Sequence, residues 1–190
     1  KRERTTMRET YQTPSMISTR KKFFDILDPH SYDYEIEEIA HALSNICRYT
    51  GHCSPFYSVA EHSIYVSHLV PPEFALEGLL HDASEAYIGD VSKPLKELLP
   101  AYKAIEEEVE KAIANHFNLQ FPYDESVHVA DGQMYWSERL TVAKTDVHDS
   151  IYLQQFKDSG VRPLGLTPSE AKFSFLSRFK VITEGVRHVA

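Results

Sequence analysis

Apolar and polar positions along this chain recur mostly with the period of amphipathic helices. Ile36, Ile39, Ala40, Leu43 and Ile46 follow a three-and-four spacing, which predicts a helix beginning near Asp33. A second helix is expected to open with Ser54 as N-cap and Pro55 at its first position, then run through Val59, His62, Val66 and Leu69 to stop at Pro71-Pro72. A third starts after Pro72, carries the apolar helical run 74–85 and ends near Gly89, with a turn and a short helix over residues 90–96. Tyr102, Ile105, Val109, Ala112 and Ile113 mark another helix, and Val127, Ala130, Met134 and Leu140 a further one. The capping box Thr167-Pro168-Ser169-Glu170 opens a last helix through Phe173, Leu176, Phe179 and Ile182.

Ahead of these, residues 23–27 read as a short strand or hairpin arm, closed by Asp28-Pro29, and residues 1–20 as a polar, basic extension. The pattern shows no repeat and no second domain. The expected fold is all-α, a compact helical bundle over residues 21–190 with a short N-terminal β-hairpin or strand.

Against this periodicity one position stands out. His81-Asp82 sits inside the core-facing run, where two ionisable groups need a compensating partner. Alone, such a dipeptide is more often a core histidine satisfied by its neighbour, and His148-Asp149, in a polar stretch, reads as surface. The first pair differs because His62 lies 19 residues before His81 and Asp131 lies 49 residues after Asp82, each in its own predicted helix. Two imidazoles and two carboxylates from three helices form a ligand set for one divalent metal, and zinc, cobalt, manganese, iron or magnesium all suit such mixed donors. An ion there would serve as a Lewis acid toward a phosphate oxygen.

Glu85, four residues after His81 and three after Asp82, falls one turn along the same helical face, where a general acid or base would sit. Arg48, with His52, precedes the His62 helix and offers a fork suited to phosphate, against the plain alternative of a surface ion pair. Asp90 suits a ribose hydroxyl or a helix cap, and Lys93 and Lys96 are candidates for phosphate contact. His68, His116 and His128 lack matched partners, and Tyr49, Tyr135 and Trp136 are core residues or a wall for a base.

Composition narrows the partners. A net charge of −8 disfavours a nucleic-acid polymer, whose affinity comes from many basic contacts. No apolar stretch reaches the ~18 residues of a membrane span, and a cytoplasmic location is expected. Cys47 and Cys53, with five residues between them, match neither a redox CxxC nor a zinc-finger spacing and read as free thiols.

His62, His81-Asp82 and Asp131 resemble the metal ligands of the HD-domain phosphohydrolases. The segments 44–52 and 56–63 are similar to a narrower group, the bacterial 5'-deoxynucleotidases and their prophage relatives together with phage dATP triphosphohydrolases. The resemblance covers roughly residues 22–145 and implies one divalent metal, a deoxynucleotide substrate and a homo-oligomer. It implies Glu85 and Asp82 as catalytic residues, Arg48 as the phosphate ligand, Asp90 beside the sugar, and Tyr49 where the group often has tryptophan. The expected activity is hydrolysis of a dNTP, dATP foremost, to deoxynucleoside and triphosphate. The alternatives are a 5'-deoxynucleotidase acting on dNMPs and a non-catalytic, metal-containing nucleotide sensor.

Overall fold

The computed structural model describes residues 14–144 and 155–186, and the His148-Asp149 pair lies outside them. The all-α expectation holds, with one two-stranded antiparallel hairpin at the start, β1 (Ser15–Ile17) and β2 (Phe23–Asp25). Part of the segment read as an extension therefore belongs to the fold. Met16 pairs with Phe24, and Arg20 ties the hairpin to Asp33 and Glu35 at 3.2 and 2.9 Å.

Helix α1 (Ile36–Asn45) buries the predicted stripe through Ile39, Ala40 and Leu43 but starts three residues after Asp33. Tyr32 and Tyr34 hold the chain extended there, because both rings pack with Phe24 and Tyr87, and the Tyr34 hydroxyl donates to the Pro29 carbonyl. Helix α2 (Val59–Leu69) is the central element, in contact with α1, α3 (Ala75–Leu80), α7 (Glu125–Thr141) and α8 (Pro168–Val186).

Three local expectations fail for non-local reasons. Ser54 does not cap α2: its N–H donates to the Val142 carbonyl, residues 47 and 58 form an antiparallel bridge, and Ser58 is the cap, its Oγ accepting from Glu61 N–H at 3.1 Å. The third helix is not continuous. After a 3₁₀ turn at Pro72–Phe74 it stops at Leu80, passes residues 81–84 in tight turns, and resumes as α4 (Glu85–Ile88), closed by Gly89 at φ +81°. At the break the His81 ring Nδ1 donates to the Gly78 carbonyl, the acceptor that an unbroken helix would reserve for residue 82. Asp90, past the glycine, caps no helix; Ser92 occupies the N-cap of α5 (Lys93–Glu97).

Helix α6 (Pro100–His116) and α7 complete the walls. The Thr167 capping box forms as read, with Glu170 accepting from Thr167 N–H at 2.9 Å. Glycine matters at two crossings. A side chain at Gly78 would meet the Ser67 backbone and Val70 at 3.1 Å, so its absence lets α3 lie on α2, and one at Gly132 would run into the Phe156 ring beside Asp131. Glu61, wholly buried on α2, accepts from the amides of Leu164, Gly165 and Leu166 at 2.8, 3.1 and 2.7 Å, which ties the segment before α8 to the middle of the bundle.

Candidate metal centre

Four of the expected residues converge where α2, the 81–84 turn and α7 meet. His62 Nε2 lies 3.3 Å from His81 Nε2 and 3.1 Å from Asp131 Oδ1, and His62, His81 and Asp131 form a group whose donor atoms all fall within 4.8 Å of one another. Asp82 adjoins that group, with Oδ2 at 3.3 Å from His81 Nε2 and 3.7 Å from His62 Nε2.

The donor set fits a metal ion by its outer contacts as well. His62 Nδ1–H donates to Glu138 Oε1 at 2.5 Å and His81 Nδ1–H to Gly78 O at 2.9 Å, so both rings present Nε2 to the cluster with their tautomers fixed. The Asp131 carboxyl is pushed up by burial, but His62, His81 and Arg48 outweigh this and hold it well below the usual range. Burial and Arg48 push the His62 imidazole down, yet Glu138 and Asp131 dominate and raise it to about 9. Two carboxylates beside the rings make the cluster rich in negative charge, which a divalent ion can balance.

A cavity of about 410 Å³ opens from the cluster. Arg48, Tyr49, Asp82, Glu85, Asp90, Lys93, Lys96 and Asp131 all line it, so the expected substrate side chains are brought together with one exception. His52 is exposed and lies outside the cavity walls, because the chain turns away after Gly51 and its N–H closes a turn on Tyr49 O. Tyr135 joins Tyr49 as a wall, the rings 18° from parallel at 6.1 Å, whereas Trp136 takes no part in the lining.

The walls are electrostatically uneven. Glu85 is buried, its Oε2 has no hydrogen-bond partner, and burial, then Asp82 and Asp90, push its carboxyl well above the ordinary value. Burial also raises Asp90, with Asp82 adding to the rise and Arg48 opposing it. Lys96 Nζ pairs with Glu106 at 2.5 Å and stands 3.9 Å from Glu85, so part of its charge is already answered. Arg48 bridges the regions, 3.5 Å from Asp82 Oδ2 and 3.1 Å from Glu138 Oε2.

Glu138 is the site residue that sequence reasoning missed. It is wholly buried, seven residues after Asp131 and two turns along the same face, which was its one local signal. A second cavity, of about 220 Å³, lies against His81, Asp82 and Asp131, walled by Glu110, Tyr123 and His128, which the spacing also did not single out. Burial pushes the Glu110 carboxyl up to about 7, with Glu106 and Asp82 adding to the rise. Cys47 and Cys53 are free thiols as expected, half-buried, with their sulfurs 3.5 Å apart. Among the described residues no helix is long and apolar enough to cross a membrane.

No protein-family model matches the sequence. The chain is 40% identical over 153 residues to the uncharacterised protein YfdR of Escherichia coli K12, covering 80% of this chain and 86% of that one. It is 36% identical over 114 residues to an uncharacterised protein of Rhodobacter capsulatus, covering 55% and 57%.

Proposed function

We propose, for a chain that belongs to the YfdR family, that it is an HD-type, divalent-metal-dependent phosphohydrolase that releases deoxynucleosides from their 5'-phosphates, with dNTPs, dATP foremost, as substrates. One observation carries the reading: the two carboxylates of the cluster, Asp82 and Asp131, line a single cavity together with Arg48, Glu85, Lys93, Lys96 and Lys103. Cations along the wall and a carboxyl raised well above its ordinary value beside the cluster suit hydrolysis of a charged ester.

His62, His81, Asp82 and Asp131 would hold the metal, which when bound polarises a phosphoryl oxygen and eases ionisation of water. Water attacks the α-phosphorus, the bond from phosphorus to the 5'-oxygen breaks, and hydroxyl remains on the phosphate product. Glu85, its carboxyl raised by burial, Asp82 and Asp90, gives a proton to the departing 5'-oxygen; the second proton of the attacking water passes to solvent, from which Glu85 is reprotonated. Arg48, fixed by Glu138, neutralises the charge that builds on the equatorial oxygens. Tyr49 and Tyr135 offer flat apolar surface to the nucleoside, and Asp90 an acceptor for a sugar hydroxyl.

A second reading has its own support. The 5'-deoxynucleotidase would break the same bond in a dNMP, and the Lys96–Glu106 pair, which answers one of the cations that a longer phosphate chain would use, favours it. Incubating metal-loaded protein with each dNTP and dNMP and separating the products by anion exchange tests both. Deoxynucleoside with tripolyphosphate is expected. Orthophosphate from dNMPs alone would make it the nucleotidase, and no turnover with any metal would leave a nucleotide sensor.

A further inference from the structure

Glu138 lines neither cavity, yet its two oxygens face different parts of the site. Oε1 accepts from His62 Nδ1 at 2.5 Å and from the Tyr57 hydroxyl at 2.9 Å, while Oε2 accepts from the Tyr49 hydroxyl at 2.7 Å and from Arg48 Nε at 3.2 Å, with Nη2 at 3.1 Å. Tyr57 and Glu138 are both wholly buried, so water does not replace any of these contacts. We propose that Glu138 is a positioning residue that sets the His62 ring and the Arg48 guanidinium from one rigid carboxylate, so that metal affinity and anion affinity depend on each other through it. The anion side rests on the phosphate role given to Arg48 above.

A carboxylate is planar, so it cannot turn to follow one set of partners without moving the other oxygen. A shift of the His62 ring when its Nε2 takes a metal is therefore felt at Arg48, and an anion pulling on Arg48 is felt at His62; such coupling is reciprocal. A plain core ion pair would not need this arrangement. Buried pairs are often replaceable by apolar residues without loss, and here both partners of Glu138 also belong to the ligand space, Arg48 as a wall of the cavity and His62 through Nε2 in the cluster.

The full chain, Glu138→Gln and Tyr57→Phe should be compared by two bindings measured separately. These are Co²⁺, followed by calorimetry and by its visible absorption bands, and tripolyphosphate on chelator-treated protein, where no direct contact between metal and anion contributes. Glu138→Gln is expected to weaken Co²⁺ by about 10–100-fold, as for other partners outside a coordination sphere, with altered band intensity, and to weaken tripolyphosphate by about 5-fold or more. Tyr57→Phe should shift both in the same direction by less, although the Tyr57 side chain reaches neither cavity. A change in only one affinity, or in neither, overturns the proposal. If Glu138→Gln fails to fold, Tyr57→Phe decides by the same criterion. Absence of hydrolysis alongside a joint fall in both affinities would reject the phosphohydrolase reading and leave this one standing.

Discussion

Glu138 and Glu85 are both buried glutamates under the influence of Arg48, and the fold treats them oppositely. Glu138 meets Arg48, Tyr49, Tyr57 and His62, and although burial pushes its carboxyl up, Arg48 and His62 bring it down to about 2. Glu85 has Lys96 at 3.9 Å, an Oε2 without a partner, and a carboxyl raised well above normal by burial with Asp82 and Asp90. A satisfied carboxylate fixes geometry and gains nothing by changing state. An unsatisfied one is relieved by a proton, and so is fitted to give one away. One carboxylate is held in place by its partners, and the other is left with an oxygen that none of them answers.

The sharpest way to break this contrast is Glu85→Gln. It keeps shape and removes the proton, and should lower kcat by about 10²–10⁴-fold in a product assay while Co²⁺ uptake is retained. Unchanged turnover would remove Glu85 from the reacting side. Next, His81→Ala deletes one member of the three-residue cluster, and metal content by atomic emission should fall by more than the about 10–100-fold seen when only an outer partner is lost. Retention of metal would place the ion elsewhere.

A milder test uses Glu110. Its carboxyl is raised from 4.5 to about 7, so between those values the folded chain binds more protons than the unfolded one, and stability falls as pH rises through that window. Glu110→Gln should remove this slope, giving melting temperatures that change less between pH 5 and 7 than those of the wild type. An identical slope in both proteins would rule out the assignment. The smallest effect is expected from Ser58→Ala, which deletes the cap of α2 and touches neither glutamate; about 1 kcal/mol of stability should be lost in denaturant melts, with Co²⁺ affinity unchanged.

The sequence made His62, His81, Asp82 and Asp131 legible because each interrupts or rides an apolar stripe, and stripes report which way a helix faces. Glu138 rides the same face of α7 as Asp131, but its meaning comes from Arg48, Tyr57 and His62, 76 to 90 residues away, and spacing within one helix does not record such partners. Ser54-Pro55 is a good local start signal overruled by the bridge between Cys47 and Ser58. The break at residues 81–84 carries no glycine or proline to announce it. It coincides with the His81 ring bonding the Gly78 carbonyl, so regular helix yields where the site needs its histidine turned.

The Glu61 contacts also bear on the order in which the molecule is made. Glu61 immediately precedes His62 and is answered by amides at positions 164–166, more than 100 residues further along. Until that stretch has left the ribosome, seating α2 would bury a carboxylate stripped of those donors, at a cost of several kcal/mol for a charge without its partners. Seating the helix that carries His62 therefore depends on a long-range closure of the kind that slows folding. A nascent chain can hold both histidines before the helix that carries one of them has those amides to keep it seated.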